Sequence, residues 1–368
     1  MKIGIDCRMH STKFTGIGKY TQQLIKHLAK IDSENTYLLY FNNPEFEEFQ
    51  VPAENFHKIL VDAPHYSLKE QTKFPLVIRK TNPDLIHFTH FNSPLLNIKP
   101  QVTTIHDLTL NFYPGKKYNK TYQRLAYKAI LHKSLKASKK IIAVSKNTEQ
   151  DLHKLYPFTR NKTTNIYEGV DDIFLQEIQK PDLGFELPSK YLLYTGNWRS
   201  HKNLPNLIKA FHILKEDYNY KGKLVLTGKP NPLYPQTKTT ITRYKLNDDV
   251  IMPGLIPESH LPYLYQQAEC YVFPSFYEGF GLPILEAFAS KTPVCTSNTS
   301  CLPEIGGNAT LTFNPNDPTE IALRINQILT TKDLREKLIA NGTERLKEFS
   351  FKKMAEETLE VYKSILLK

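Results

Sequence analysis

The sequence predicts an α/β protein of two Rossmann-like domains, each with a parallel sheet between helices. Three observations support this prediction. Apolar, β-branched runs alternate with helical patterns along the chain. A strand, a glycine-containing loop and a helix follow one another in both halves. The chain has 368 residues, which is the length of two ordinary domains.

The first half opens with the strand-like run KIGIDC and the helical run YTQQLIKHLAKI. Gly16 and Gly18 fall between these runs, and we expect both to lie in a loop just before the helix. The pair lacks the third glycine of a dinucleotide fingerprint, so a merely flexible loop is the alternative. Further strand-like runs are TYLLYF, FHKILVD, DLIHFTH, VTTIHDL, KIIAVS and TTNIYEG.

The domain boundaries follow from changes in composition. Residues 171–189 mix two prolines and a glycine with charged residues, which is typical of an interdomain connection. We therefore predict a first domain over residues 1–170 and a second over residues 190–349. The strand-like runs KYLLYTG and KLVLTG open the second domain, and we predict a final helix over residues 350–368.

The charge balance of +11 points to an anionic partner. Residues 116–140 contain no acidic residue, and Leu125, Ile130, Leu131 and Leu135 form a rough helical stripe beside lysines and an arginine. Such a helix suits either an anionic membrane surface or a solvated charged face. No zinc-finger or RNA-recognition signature accompanies it, so nucleic acid is not an expected partner.

Cysteine usage and hydropathy predict a cytoplasmic protein. The four cysteines include no C-x-x-C pair, so we expect reduced core residues and no zinc site. No apolar run approaches about 20 residues, the length that spans a bilayer. The N-terminus has no basic lead or apolar core of a signal peptide. The basic stretch over residues 116–140 would also allow peripheral attachment at the inner face of the membrane.

One junction of the second half combines two carboxylates with a helix start. The strand AECYVF leads into a loop with Gly279 and Gly281, and a helix begins at Leu282. Glu278 lies in the loop and Glu286 lies within the first turns of the helix. Backbone N–H groups at such a helix start can face a phosphate.

A second junction places cations where helix stability alone would favour acids. The helix after KYLLYTG is predicted to begin near Asn203, and Arg199, His201 and Lys202 lie at or before that start. Each cation there opposes the helix macrodipole by about 0.3–1 kcal/mol. An anion bound between the helix and the cations would explain them, and an exposed basic turn is the alternative.

His106 and Asp107 follow the predicted strand at residues 102–105. In parallel sheets, ligands bind beyond the carboxyl ends of strands. This position makes His106 a candidate site residue, although a structural histidine is equally compatible with it.

These motifs together resemble the family-4 glycosyltransferases. EGFGLPILEA resembles the family's donor-site motif, and PDLIHFTHFNSP, TIHDL, IIAVSKNTEQDL and the R-x-x-KN segment resemble other family stretches in the same order. The resemblance implies a retaining enzyme that uses a nucleotide-sugar donor. It also implies the GT-B fold, in which two Rossmann-like domains face each other across a cleft and the final helix, here residues 350–368, crosses back to the first domain. One departure is Lys291, where the family often has glycine.

The resemblance also implies roles for particular residues. Glu278 would hold the hydroxyls of the transferred sugar, and Glu286 those of the nucleotide ribose. Arg199 and Lys202 would stabilise the departing diphosphate. His106 would face the sugar or the acceptor, with Asp107 supporting it.

Further donor-binding positions follow from the same resemblance, mainly through backbone contacts. They are Gly16, Leu255, Phe280, Gly281 and Leu282. No D-x-D manganese site accompanies them, and Asp248-Asp249 reads as a solvated pair. We therefore expect no metal and no other cofactor.

The overall resemblance favours bacterial polysaccharide mannosyltransferases that use GDP-mannose. The acceptor would be a saccharide or a lipid-linked saccharide of cell-surface polysaccharide or lipopolysaccharide synthesis. Two alternatives stay open. One is a GT-B phosphorylase or sugar-nucleotide epimerase, and the other is a non-catalytic protein that binds nucleotide sugars or membrane surfaces.

Overall fold

The computed structural model describes residues 1–10, 15–115 and 121–366, and the chain forms two compact units. Counted over the described residues, the first unit comprises residues 1–10, 15–108, 121–169 and 350–366, and the second comprises residues 109–115 and 170–349. Each unit contains one parallel sheet. The predicted pair of Rossmann-like α/β domains is therefore confirmed.

Both sheets are wholly parallel in their described strands. The first sheet has the order β3-β2-β1-β4-β5-β6-β7, with β1 (Lys2–Asp6), β2 (Thr36–Phe41), β3 (Phe56–Leu60), β4 (Leu85–Phe88), β5 (Gln101–Ile105), β6 (Lys140–Ala143) and β7 (Thr163–Asn165). The second has the order β10-β9-β8-β11-β12-β13, with β8 (Tyr191–Tyr194), β9 (Lys223–Thr227), β10 (Val250–Gly254), β11 (Cys270–Phe273), β12 (Val294–Ser297) and β13 (Thr310–Phe313).

Helices follow most strands, as right-handed parallel crossovers require. In chain order they are α1 (Thr15–Ile31), α2 (Glu45–Glu48), α3 (Leu68–Thr81), α4 (Thr109–Phe112), α5 (Thr121–Ala137), α6 (Lys146–Leu155), α7 (Leu204–Glu216), α8 (Gln236–Arg243), α9 (Leu261–Gln267), α10 (Leu282–Ala289), α11 (Leu302–Gly306), α12 (Pro318–Thr330), α13 (Lys332–Leu346) and α14 (Phe351–Leu366). None of these described helices has the length and apolar character needed to span a bilayer.

The start of α1 differs from the sequence expectation. Gly16 and Gly18 lie inside the first turn of α1 and not in a loop before it. Glycine lowers helix stability there because fixing its flexible backbone costs more conformational entropy than for other residues. The fully buried face formed by Tyr20, Leu24 and Leu28 then outweighs the low helix propensity of glycine.

In the first sheet, the strand order reverses between β1 and β4, and a buried ionic cluster lies at that point. Arg8 follows β1, and its guanidinium binds Asp6 through two bonds of 2.8 Å. The same group binds Glu70 at 2.8 Å, and both the Arg8 and Glu70 side chains are fully buried. The amide of Asn92 donates to Glu70 at 2.9 Å. This Arg8 cluster links β1 to α3 at the carboxyl edge of the sheet.

The final helix belongs to the first unit. The chain leaves that unit after Gly169 and re-enters it at Ser350. A side chain on Gly169 would lie 2.2 Å from the backbone nitrogen of Phe351, so only glycine fits there. In α14, the hydroxyl of Tyr362 lies 2.6 Å from Nδ1 of His87, which is buried in β4. This bond anchors α14 in the interior of the first unit.

The cysteines and Lys291, both singled out in the sequence, have definite local structures. All four cysteines are free and buried, as expected of reduced core residues. Lys291 adopts a left-handed conformation with φ of 55° after α10. A glycine would avoid about 1 kcal/mol of strain at such a helix end, so the departure from the family pattern is a local weakness.

Candidate donor-binding site of the second unit

In the second sheet, the strand order reverses between β8 and β11, and the loops that follow these two strands carry the predicted site residues. In doubly wound sheets this switch point opens a crevice beyond the carboxyl ends of the strands. The loop after β8 carries Arg199 and Lys202, and the loop after β11 carries Glu278. The sheet order thus brings these separate motifs to one edge.

The loop after β11 turns into α10 at Gly281. This residue has φ of 102°, and an added side chain would lie 3.2 Å from Leu302. Glycine is therefore required by both conformation and space. Leu282 is the first residue of α10 and Pro283 the second, so the predicted helix start is confirmed. The backbone N–H groups of this turn follow Glu278 closely in the sequence.

Side chains from the segment before α11 hold the Glu278 loop. The backbone N–H of Glu278 donates to Oγ of Ser300 at 3.0 Å. The thiol of Cys301 lies 3.3 Å from the Glu278 carbonyl oxygen and 3.0 Å from that of Phe280. Burial, and next the charge of Glu278, raise the pKa of Cys301, so the thiol stays a hydrogen-bond donor. These contacts fix the loop backbone.

Phe280 has a structural position that the sequence did not reveal. Its side chain is buried and packs edge-to-face on Phe349, with 5.9 Å between ring centroids. The ring is therefore part of the packing of the second unit. Any donor contact at this position falls to the backbone.

The loop after β8 reaches the Glu278 loop through Asn203. A short 3₁₀ turn, Ser200–Lys202, precedes α7, and Asn203 adopts φ of 57° between them. The Asn203 amide donates to the carbonyl of Pro274 at 3.0 Å and to that of Pro315 at 2.7 Å. These bonds fix the start of α7 against the loops that follow β11 and β13.

Lys202 and Glu278 form an ion pair at this edge. Nζ of Lys202 lies 2.6 Å from Oε1 of Glu278, and each side chain is 14% exposed. The sequence analysis expected an anion beside the cations at the start of α7, and the protein itself supplies one for Lys202. An ammonium carries three N–H donors, so Lys202 can bind Glu278 and a phosphate oxygen together.

The other predicted residues of these two loops differ in exposure. Arg199 is exposed just before the 3₁₀ turn. His201 is buried, and its carbonyl accepts the N–H of Phe276 at 2.8 Å, so it is not part of an exposed cation cluster. Leu255 is 74% exposed and follows Gly254, which has φ of 84°. Arg199 and Leu255 are thus accessible to a ligand.

Glu286 is oriented by a buried tyrosine. Its Oε2 accepts the hydroxyl proton of Tyr265 at 2.8 Å, and that hydroxyl also lies 2.6 Å from Oγ1 of Thr195. Burial, and next the charge of Glu286, raise the pKa of Tyr265, so its hydroxyl remains protonated at neutral pH. The hydroxyl of Tyr265 in α9 therefore fixes the orientation of the Glu286 carboxylate in α10.

A segment from the first half of the sequence packs on the Glu278 loop, which motif reasoning did not predict. Residues 109–115 belong to the second unit. Phe112 lies with its ring 5.1 Å from that of Tyr277, and Tyr113 stacks on Phe276 at 6.1 Å with 8° between the planes. These aromatic contacts hold the two residues that precede Glu278. The only indication of this contact in the sequence was that Phe112 and Tyr113 follow closely after His106.

His106 and Gly16 lie in the first unit. His106 follows β5, and both of its ring nitrogens contact protein groups: Nε2 is 2.9 Å from the Thr89 carbonyl oxygen and Nδ1 is 3.3 Å from Glu168. A side chain added to Gly16 would have no atom of the described residues within 4 Å. The structure therefore brings Lys202 and Glu278 into contact within the second unit and places these two predicted residues in the other unit.

The predicted solvated pair near β10 is confirmed for Asp248, which is exposed, but not for Asp249. Asp249 binds Lys215 at 2.8 Å and Lys223 at 3.0 Å. Partial burial raises the pKa of the Asp249 carboxyl, but these two bonds outweigh burial and hold it below its usual value. Within the described part of the chain, no group of three His, Cys, Asp or Glu side chains is arranged to hold a metal ion.

The two Rossmann-like units, one with a cation and carboxylates at its switch point, define an α/β protein of the GT-B class. Two family models match: "Glycosyltransferase Family 4" over residues 14–173 and "Glycosyl transferases group 1" over residues 176–345. The chain belongs to glycosyltransferase family 4.

Similar proteins agree with this assignment. An O-antigen chain mannosyltransferase B of Escherichia coli is 31% identical, over 95% of this chain and 96% of the relative. The O-antigen chain mannosyltransferase RfbU of Salmonella typhimurium is 30% identical, over 66% of this chain and 64% of the relative. The structure of a sucrose-phosphate synthase from Thermosynechococcus elongatus shares the fold, with a TM-score of 0.80, 20% identity and coverage of 100% and 99%.

Proposed function

We propose that this protein is a retaining mannosyltransferase that transfers mannose from GDP-mannose to a saccharide or lipid-linked acceptor. The reaction would serve the synthesis of a cell-surface polysaccharide or lipopolysaccharide. The observation that carries the proposal is the Lys202–Glu278 pair at the switch point of the second sheet. The mannosyl donor is supported by the two O-antigen mannosyltransferases to which the chain is similar.

Different residues of the second unit bind the diphosphate, the ribose and the base of the donor. Lys202 and the accessible Arg199 bind the diphosphate and stabilise the charge that develops as it departs. The N–H groups at Gly281 and Leu282 add the partial positive charge of a helix start. Glu286, held by Tyr265, accepts the hydroxyl protons of the ribose. Leu255 and its neighbours receive the nucleotide base.

Glu278 positions the transferred sugar. Its carboxylate binds the sugar hydroxyls and orients the anomeric carbon, while Lys202 holds it in place. The acceptor hydroxyl attacks the anomeric carbon from the face that the diphosphate leaves. The bond from the anomeric carbon to the phosphate oxygen breaks, and that oxygen takes the acceptor's proton. Configuration is retained without a covalent intermediate on the protein.

Nucleotide binding tests the donor proposal directly. We expect GDP, and not UDP, ADP or CMP, to raise the melting temperature of the protein. A ligand at about 100 times its dissociation constant adds about 2.7 kcal/mol to the free energy of unfolding. The measurement is a thermal unfolding scan with each nucleotide in turn, followed by an assay of mannose transfer from GDP-mannose.

Each other outcome of that scan has a definite meaning. Stabilisation by UDP alone would overturn the mannosyl donor and keep the glycosyltransferase. No response to any nucleotide would overturn the donor-site assignment. Nucleotide binding with no turnover of any sugar donor would favour a non-catalytic binding protein.

A second proposal concerns contact with an anionic membrane through α5. Tyr127, Leu131 and Leu135 of this helix are buried, whereas Tyr122 and Leu125 are 64% and 62% exposed. Leu125 therefore lies outside the buried stripe expected from the sequence. Exposed apolar side chains beside lysines suit a bilayer surface with anionic lipids. Residues 116–120 of the predicted basic stretch lie outside the described residues.

Vesicle binding tests this second proposal. We expect the protein to sediment with vesicles rich in phosphatidylglycerol and not with pure phosphatidylcholine, and to be released by salt. The variant Lys128→Glu/Lys133→Glu should lose this binding, because each residue is worth about 1 kcal/mol near a charged surface. Lys332→Glu, whose side chain is 84% exposed on α13, is the control. Equal binding of both variants would refute a role for α5.

A further inference from the structure

Both ring nitrogens of His106 are engaged by groups of the first unit. Nε2 lies 2.9 Å from the carbonyl oxygen of Thr89. A carbonyl oxygen only accepts hydrogen bonds, so Nε2 carries a proton and donates it. In a neutral imidazole the other nitrogen, Nδ1, would then hold a bare lone pair. That nitrogen faces Oε1 of Glu168 at 3.3 Å.

The contact between His106 and Glu168 is attractive only when a proton lies between them. Two lone pairs would repel at this distance, whereas a protonated Nδ1 and a carboxylate attract each other. An ordinary imidazole binds a proton more tightly than an ordinary carboxylate. Glu168 is 3% exposed, and its Oε2 has no hydrogen-bond partner among the described residues. Its charge is thus compensated through His106.

The other described groups around His106 do not supply a competing charge. His87 is buried and His90 is half-buried. Desolvation, and next the charge of His106, lower the pKa of His87 to about 3 and that of His90 well below its usual value. Tyr20 packs its ring edge-to-face on His106 at 4.9 Å, and burial raises the pKa of its hydroxyl. Asp107 follows His106 in the chain and is exposed.

We propose that Glu168 is a positioning residue that keeps His106 doubly protonated and fixes the orientation of its ring. His106 then carries a fixed positive charge at the carboxyl end of β5, and it does not act as a proton acceptor. This inference deepens the proposed function and rests on it, because it assigns the charge that His106 brings to sugar transfer. It is also consistent with a mechanism in which the departing phosphate takes the acceptor's proton.

The variant Glu168→Gln removes the charge of Glu168 but leaves the position of the His106 ring unchanged. Glutamine has the same shape, and its amide can donate to a bare Nδ1, so the ring stays in place while the shared proton is lost. Nitrogen-15 NMR of the histidine rings at pH 7, assigned with His106→Asn, should show two protonated nitrogens in the wild type. The Glu168→Gln protein should show only Nε2 protonated.

Kinetics of a double-mutant cycle test whether Glu168 acts through His106. We expect Glu168→Gln to lower kcat at least tenfold and to change KM for the donor less than threefold. The same substitution should have no further effect in the His106→Asn protein, because its partner is already gone. Glu177→Gln, at an exposed glutamate after Gly169, is the matched control and should leave both constants unchanged.

Two results would overturn the inference: a bare Nδ1 in the wild-type spectrum, or additive losses in the cycle. The wild-type spectrum alone decides the first, so the test holds even if Glu168→Gln does not fold. The spectrum also needs no sugar donor. A protein with the shared proton and no transfer activity would refute the proposed function, whereas an active protein without the proton would refute only the role of Glu168.

Discussion

Replacement of Lys202 by alanine should lower kcat/KM for the nucleotide-sugar donor by about 10²–10³ and leave the protein folded. The loss of one preorganised donor to a developing negative charge has about this effect. Lys202 is placed for that role by Asn203 and by its 2.6 Å contact with Glu278. The measurement is initial rates over a range of donor concentrations, with circular dichroism to verify the fold.

The matched control is Lys332→Ala. This lysine lies on α13 of the same unit, its side chain is 84% exposed, and its ion pair with Glu336 is on the surface. Surface pairs of this kind contribute little, so activity and stability should both stay close to the wild type. An unchanged kcat/KM in Lys202→Ala would remove Lys202 from the transfer mechanism.

A double-mutant cycle with Glu278→Gln tests whether the ion pair acts as one unit. Glutamine keeps the shape of Glu278 but removes the charge that faces Lys202. We expect each single variant to be almost as impaired as the double variant, because residues that act together in a site have non-additive effects. Independent losses would mean that the sugar and the diphosphate are handled separately.

Much of the fold could be predicted from local sequence. Strands such as β5 and β8 are short buried runs bounded by turn residues, and a parallel sheet follows from their alternation with helices. The helix starts at Leu282 and Leu204 were also predictable, because proline, glycine and asparagine mark them locally. The start of α1 was not, because packing of Tyr20 and Leu24 outweighed the glycine signal.

The partners of the site residues could not be predicted in this way. The contact between His106 and Glu168 joins residues 62 positions apart, and that between Lys202 and Glu278 spans 76 positions. Tyr265, which orients Glu286, belongs to a helix with no motif of its own. Residues 109–115 fold with the second unit although their neighbours in sequence belong to the first. Such contacts depend on sheet order, which local patterns do not encode.

Replacement of Arg8 by methionine should destabilise the protein by about 3–5 kcal/mol at pH 7. Methionine fills a similar volume but leaves the carboxylates of Asp6 and Glu70 buried without their cation, and breaking a buried ion pair has this effect. The Arg8 and Glu70 side chains are fully buried, so water cannot replace the lost bonds. Urea unfolding of both proteins gives the difference in free energy.

The pH dependence of that difference follows from Glu70. Burial raises the pKa of its carboxyl, but His65, at 3.8 Å, and the bonds with Arg8 and Asn92 outweigh burial and lower it. A lowered pKa adds stability above the unfolded-state value, and this stability is lost as the pH falls through the folded-state value. The gap between the wild type and Arg8→Met should therefore be smaller at pH 4 than at pH 7, because the variant's buried carboxylates can bind protons.

The control for this prediction is Arg79→Met, an exposed position in the last turn of α3. It should change the free energy of unfolding by no more than about 0.5 kcal/mol at either pH, as surface substitutions usually do. A loss below 1 kcal/mol in Arg8→Met, or a gap that widens in acid, would show that the Arg8 cluster does not stabilise the first unit. In that case the buried charges at the β1–β4 switch point would have to be explained by ligand binding and not by folding.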